Sequence, residues 1–150
     1  MTLDQVFSAT GTIAMIGWVI LAVAPRRWPF LNALPRLIIP ATLGLVYSAY
    51  IFAFFTLSGG GYGSLSEVRQ LFTVDELLLA GWIHYLAFDL MIGAYLADRL
   101  DRVGISRWLQ LPVLFTTLMF GPAGVILALG MEGAARGAPL SLRGSRRVSA

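Results

Sequence analysis

The chain has no cysteine, no lysine and a single histidine among its 150 residues. The missing cysteines exclude disulfides, thiolate metal sites and a cysteine nucleophile. One histidine, with no second His or Cys at ligand spacing, makes no metal site. Charge is scarce too: 13% of the residues are charged, against about 25% in a soluble domain. With 57% hydrophobic residues and a mean hydropathy of +0.76, the composition is that of a chain dissolved in lipid. The bilayer is therefore the first expected partner, and no nucleic acid is expected.

What is present is four long apolar stretches: Val6 to Ala24, Leu37 to Leu57, Leu77 to Ala97 and Trp108 to Met131. A helix rises about 1.5 Å per residue, so ~20 residues cross the ~30 Å hydrocarbon layer. The pattern predicts an all-α fold, an integral membrane four-helix bundle with helices over about 5–24, 37–57, 74–103 and 108–131. A short interfacial helix is expected over about 65–72. Residues 1–131 then form one four-span domain, and 132–150 an arginine-rich tail expected to be flexible. The first stretch reads as a span, not a cleaved signal: Asp4 and no basic residue precede it, and Pro25 would follow the Ala22-Val23-Ala24 site.

All 11 basic residues are arginines. Arg26, Arg27 and Arg36 lie between the first two stretches, Arg99, Arg102 and Arg107 between the last two, and Arg69 alone in the middle connection. The positive-inside rule puts the first and third connections in the cytoplasm and the N-terminus outside, in a bacterial cytoplasmic (inner) membrane. Arg136, Arg143, Arg146 and Arg147 oppose this, because four spans carry them outside. A tail folded back or a re-entrant fourth segment removes the conflict.

Ser64-Leu65-Ser66-Glu67 and Thr73-Val74-Asp75-Glu76 both read as capping boxes, which makes helix caps of Glu67 and Glu76. Asp98 and Arg102 stand one turn apart as an expected surface pair, and Gly104 is a natural helix end. Trp28 and Trp108 suit the aromatic belt at the membrane surface.

The third stretch is the exception, since it carries His84 and Asp89 at mid-span. Ionisable groups at that depth are costly and mark a functional site by default. At about 100° per residue, His84, Phe88, Gly81, Ile92, Tyr85, Asp89, Trp82 and Gly93 fall on one side, expected to face inward. Leu79, Ala80, Ile83, Leu86, Ala87, Leu90, Met91, Ala94 and Ala97 fall on the other, expected to face lipid. Five residues of separation put His84 and Asp89 about 140° apart, so they flank a space without touching. Tyr85, one turn before Asp89, is the expected donor to its carboxylate. A protonated aspartic acid can donate to a substrate oxygen, and a neutral imidazole can take a proton from carbon. His84, Asp89 and Tyr85 are thus the candidate catalytic residues.

Three readings stay open: acid–base chemistry on a ligand, bonds that glue one helix to another, and a proton path. Trp82, Phe88, Tyr47 and Tyr50 offer aromatic surface to a polyene or quinone, while Thr116 and Thr117 offer hydroxyls. Pro122, inside TTLMFGPAG, is expected to kink the fourth helix beside the small residues Gly121, Ala123 and Gly124.

APRRW, GGGYGSLSEVRQLF, AGWIHYLAFDLMIGAYLA and TTLMFGPAGVIL together resemble the small four-helix membrane family named for the abscisic-acid-deficiency-four protein of plants. The resemblance runs from about Leu3 to Met131. It implies carotenoid metabolism, because the plant members are required for making neoxanthin from violaxanthin, an epoxide opening that creates an allene without net redox change. A carotenoid isomerase or epoxide-opening enzyme is one expectation. The alternatives are a carotenoid-binding or assembly subunit of a larger membrane complex or homo-oligomer, and a small proton-coupled carrier. No cofactor is expected beyond a bound carotenoid.

Overall fold

The computed structural model describes residues 1–137, all of whose regular elements are helical. Helix α1 spans Leu3–Val23, opened by a capping box in which Thr2 Oγ1 accepts from the Gln5 amide and the Gln5 side chain accepts from the Thr2 amide. Helix α2 runs unbroken over Pro29–Leu57, α3 over Leu65–Leu71 and α4 over Asp75–Arg102. Helices α5, Arg107–Phe120, and α6, Pro122–Gly137, follow. The arginines at 143, 146 and 147 lie outside the described residues.

Helix α2 begins well before the predicted Leu37. Pro29 sits at its first turn, where a missing N–H costs nothing, and Leu34–Ile38 forms one π turn around Pro35. Asn32 tolerates burial there by donating to the carbonyls of Pro25 (2.8 Å) and Trp28 (2.7 Å).

The fourth apolar stretch is not one kinked helix. Gly121 breaks it at φ 44°, a conformation open to glycine, and the chain doubles back. A Cβ placed on Gly124 would fall 2.7 Å from the backbone of Thr117, whereas residues seven apart in one helix lie about 10 Å apart along the axis. Helices α5 and α6 form a hairpin whose two open ends meet the same end of α4: Gln110 bonds Asp101 at 2.6 Å, and Glu132 pairs with Arg99 and Arg136. With 14 residues, α5 rises only about 21 Å, short of a span. Three helices, α1, α2 and α4, are long and apolar enough to cross. Pro122 is the first residue of α6, where its lost N–H is no loss.

Helix α4 is the axis on which the other long helices pack. Its core face is the aliphatic one: Ile83, Leu90 and Ala97 are fully buried, with Leu79, Leu86, Ala87 and Ala94 nearly so. Trp82, His84, Phe88 and Tyr95 are exposed. The sequence expectation of an inward aromatic side and a lipid-facing aliphatic side is thus reversed for these residues, Met91 alone remaining exposed on the aliphatic side. The reason is physical: lipid is as apolar as leucine, so hydrophobicity does not say which apolar face is core. Close approach does. Gly17 seats Leu90, and Gly93 seats the Trp18 ring, so α1 lies tightly against α4.

Polar pairs tie one end. Arg26 meets Asp101 at 2.7 Å, and Arg36 takes Asp98, displacing the expected Asp98–Arg102 pair. Arg107 donates to the carbonyls of Leu21 and Val23 at the end of α1. Because α6 returns to this end, Arg136 joins the other arginines and its conflict with a one-sided arginine distribution disappears.

Candidate functional site in the N-terminal half of helix α4

At the opposite end, α3 and the glycine cluster form a flap. Gly60 lies so close to the α3 backbone that a Cβ would fall 2.5 Å from the Leu71 nitrogen, and the Gly61 amide donates to the Glu67 carbonyl at 3.3 Å. Gln70 adds a bond to the Ser58 carbonyl at 3.3 Å. Ser64 caps α3, accepting from the Glu67 amide at 3.2 Å, but the expected box stays half formed because the Glu67 carboxylate accepts from the Gly63 amide at 3.0 Å and not from Ser64. The second box does not form: Thr73 Oγ1 donates back to the Gln70 carbonyl, and Val74 precedes α4 with no side-chain cap.

Two cavities lie beneath this flap. The larger, about 720 Å³, runs between α1 and α4 past Phe7, Trp82 and Tyr85, with Asp4 and Asp75 among its walls. Its aromatic wall is continuous, since Phe7 stacks on Trp82 (5.7 Å) and Trp82 on Tyr85 (5.4 Å). The smaller, about 260 Å³, is lined by Tyr47 and Ile51 of α2, Tyr62 of the glycine loop and His84 of α4. His84 is held between rings, 4.5 Å from Phe88 and 5.3 Å from Tyr47. It lies nine residues into α4, about 14 Å along the axis from its N-terminal end.

Asp89 lies elsewhere. It is 6% exposed, lines neither cavity and packs against the hairpin tip, where a Cβ on Gly121 would fall 2.9 Å from its Oδ1. Its Oδ2 is buried without a hydrogen-bond partner. Tyr85 stands within interaction distance of this carboxylate, as expected, but its one well-formed hydrogen bond goes elsewhere. The Tyr85 hydroxyl donates instead to the Leu118 carbonyl at 2.8 Å, one of the last-turn acceptors that α5 cannot satisfy internally. Tyr85 therefore has its ring in the large cavity and its hydroxyl on the hairpin.

The structure brings His84, Phe88 and Tyr47 together, and separately Trp82 with Tyr85. Tyr50 stacks on Phe54 (6.1 Å), away from both cavities. Thr117 is buried beneath Gly124 and donates to its own helix at Val113 (2.8 Å), while the half-buried Thr116 and the exposed Pro122 line neither cavity. Phe7, Asp4, Tyr62, Phe72 and Asp75 are cavity walls that sequence reasoning missed. All but Asp75, the first residue of α4 itself, come from other segments, and no local spacing signals those. Among the described residues no cluster of His, Asp and Glu could hold a metal ion.

Neither a search of curated proteins nor one of solved structures returns a match. A family model described as ABA DEFICIENT 4-like matches residues 5–127, and the chain belongs to that family.

Proposed function

We propose that this integral membrane protein binds a carotenoid or related isoprenoid in the aromatic groove and rearranges it by acid–base chemistry without net redox change. The family relates the chain to carotenoid and abscisic-acid biology. The observation that carries the reading is the pairing of a large apolar cavity walled by Phe7, Trp82 and Tyr85 with a neighbouring one that presents an imidazole and two phenols, His84, Tyr47 and Tyr62. Aromatic faces suit a flat polyene. His84 takes a proton from carbon, and a phenol returns one to oxygen or carbon, so protons balance and no electrons are exchanged. Asp89 acts through Tyr85, holding the hairpin against which that phenol is anchored, and does not touch the ligand. The arginine-bearing end faces the cytoplasm and the N-terminus the outside, a reading supported by the asymmetry of charge.

The seclusion of Asp89 from both cavities favours a second reading, a non-catalytic carotenoid-binding subunit. Pigment extraction and mass analysis of protein from its native membrane separates the two. Catalysis predicts a carotenoid product absent from cells lacking the protein and lost in His84→Ala. Unchanged pigment that co-purifies equally with wild type and His84→Ala overturns the catalytic reading and leaves the binding one.

A further inference from the structure

The two cavities share two walls, Phe72 and Gly81. Around the axis of α4, Gly81 stands about 60° from His84, Tyr85 about 100° and Trp82 about 160°, so Gly81 is the saddle between the two sides. Having no Cβ, it leaves a dip over the helix. Phe72 fills that dip with the edge of its ring: a Cβ on Gly81 would fall 2.7 Å from Cε1 and 3.3 Å from Cζ.

Size makes the partition matter. Ligand pockets for drug-sized molecules run about 300–1,000 Å³, and the cavity at His84, at about 260 Å³, is below that range. The larger cavity has the volume but not His84. His84 is itself exposed, so a ligand can touch it from the surface, but neither cavity alone seats a large isoprenoid and the imidazole together. The Phe72 ring is the movable part, since it is 42% exposed and sits at the turn between α3 and α4. The flap behind it is fixed to the glycine loop by the Gly61 and Gln70 hydrogen bonds, so the ring can change rotamer while its frame stays.

We propose that the two cavities are halves of one elongated site, joined over Gly81 when the Phe72 ring swings aside, and that its occupant is a long, flat conjugated isoprenoid lying across α4. Its body rests against Phe7 and Trp82, and its leading end reaches His84. A short polyene fits the larger half alone and needs no crossing. This rests on the reading that the ligand meets His84, but it requires binding only and no reaction.

The test uses the full chain in detergent with two probes, all-trans-retinol as the short polyene and β-carotene as the long one, followed by induced circular dichroism. Gly81→Val fills the saddle and is expected to weaken β-carotene binding about tenfold or more while changing retinol binding less than about threefold. Gly81→Ala is expected to weaken β-carotene binding less, and Phe72→Ala in that background to restore it by removing the ring that collides with the new Cβ. This rescue keeps the test independent of whether Gly81→Val folds. Equal effects on both probes, failure of the rescue, or phospholipid retained in the groove in place of either probe overturns the proposal. If β-carotene binds with the expected saddle dependence and is recovered unchanged, the elongated site stands, and the catalytic reading is decided by the pigment analysis of the native membrane.

Discussion

The two ends of α4 are built on opposite rules. At its C-terminal end charged side chains find partners: Arg26 with Asp101, Arg36 with Asp98, Glu132 with Arg99 and Arg136, and Gln110 bonding Asp101 and the Ile105 carbonyl. At its N-terminal end Asp4 and Asp75 line a cavity, and among the described residues neither forms an ion pair. One end is cross-linked by polar bonds, and the other is left open between aromatic rings. Rigidity at one end allows room at the other, because a site for a large apolar ligand is a volume the protein does not fill with its own side chains. Between the two lies the hairpin tip, where Gly121, Asp89 and the Tyr85–Leu118 bond join the tied end to the open one.

The largest effect should come from breaking that junction. Gly121→Ala forces a side chain into φ 44° and a Cβ to within 2.9 Å of the Asp89 carboxylate, a loss of about 2 kcal/mol or more. Thermal unfolding in detergent measures it; a change below about 0.5 kcal/mol, the range of a neutral surface substitution, would mean the tip is not a junction.

A smaller effect sharpens the contrast within the tied end. Asp101→Ala leaves Arg26 and Gln110 without their shared acceptor, and the Arg26–Asp101 pair is 22% and 30% exposed. About 2 kcal/mol is expected, between the values for surface and buried pairs. Asp98→Asn, whose partner Arg36 is 37% exposed, should cost at most about 1 kcal/mol. Equal losses at the two sites would show that the pairs act by charge alone, whatever their burial.

The smallest effect is one of pH. The hydrogen bond from Arg99, together with Arg136, holds Glu132 below the usual glutamate range. A depressed carboxylate contributes stability that is present above the unfolded value and lost as pH falls through the folded one. The protection of amides in the last turns of α6, corrected for the intrinsic pH dependence of exchange, should therefore fall below the ordinary glutamate range, with no matching change in the buried middle of α1. Protection that is flat with pH in α6 would remove Glu132 from the bonds that close the hairpin.

Much of the fold was legible from particular residues. The α1 and α4 apolar runs, the Ser64 cap of α3 and the Gly104 stop after α4, at φ 77°, are local patterns, and the structure follows them. The family too was legible, in motifs that keep their order along the chain. The candidate site was legible only in composition: His84, Trp82 and Tyr85 were named, but Phe72, Tyr62 and Phe7 reach them from segments far apart in sequence. Asp89 was read as a partner of the same space, and a glycine one helix away closes it off.

By itself, the sequence determined that this chain carries helices long and apolar enough to cross a membrane, which segments are helical, and that the arginines crowd particular connections, because length, hydropathy and capping chemistry act over a few residues. Tertiary structure alone decided which face of α4 is core, that the fourth stretch turns back, and where His84 and Asp89 stand. In lipid every apolar face is equally acceptable to the solvent, so only the fit of Gly17 to Leu90, Gly93 to Trp18 and Gly121 to Asp89 selects among them.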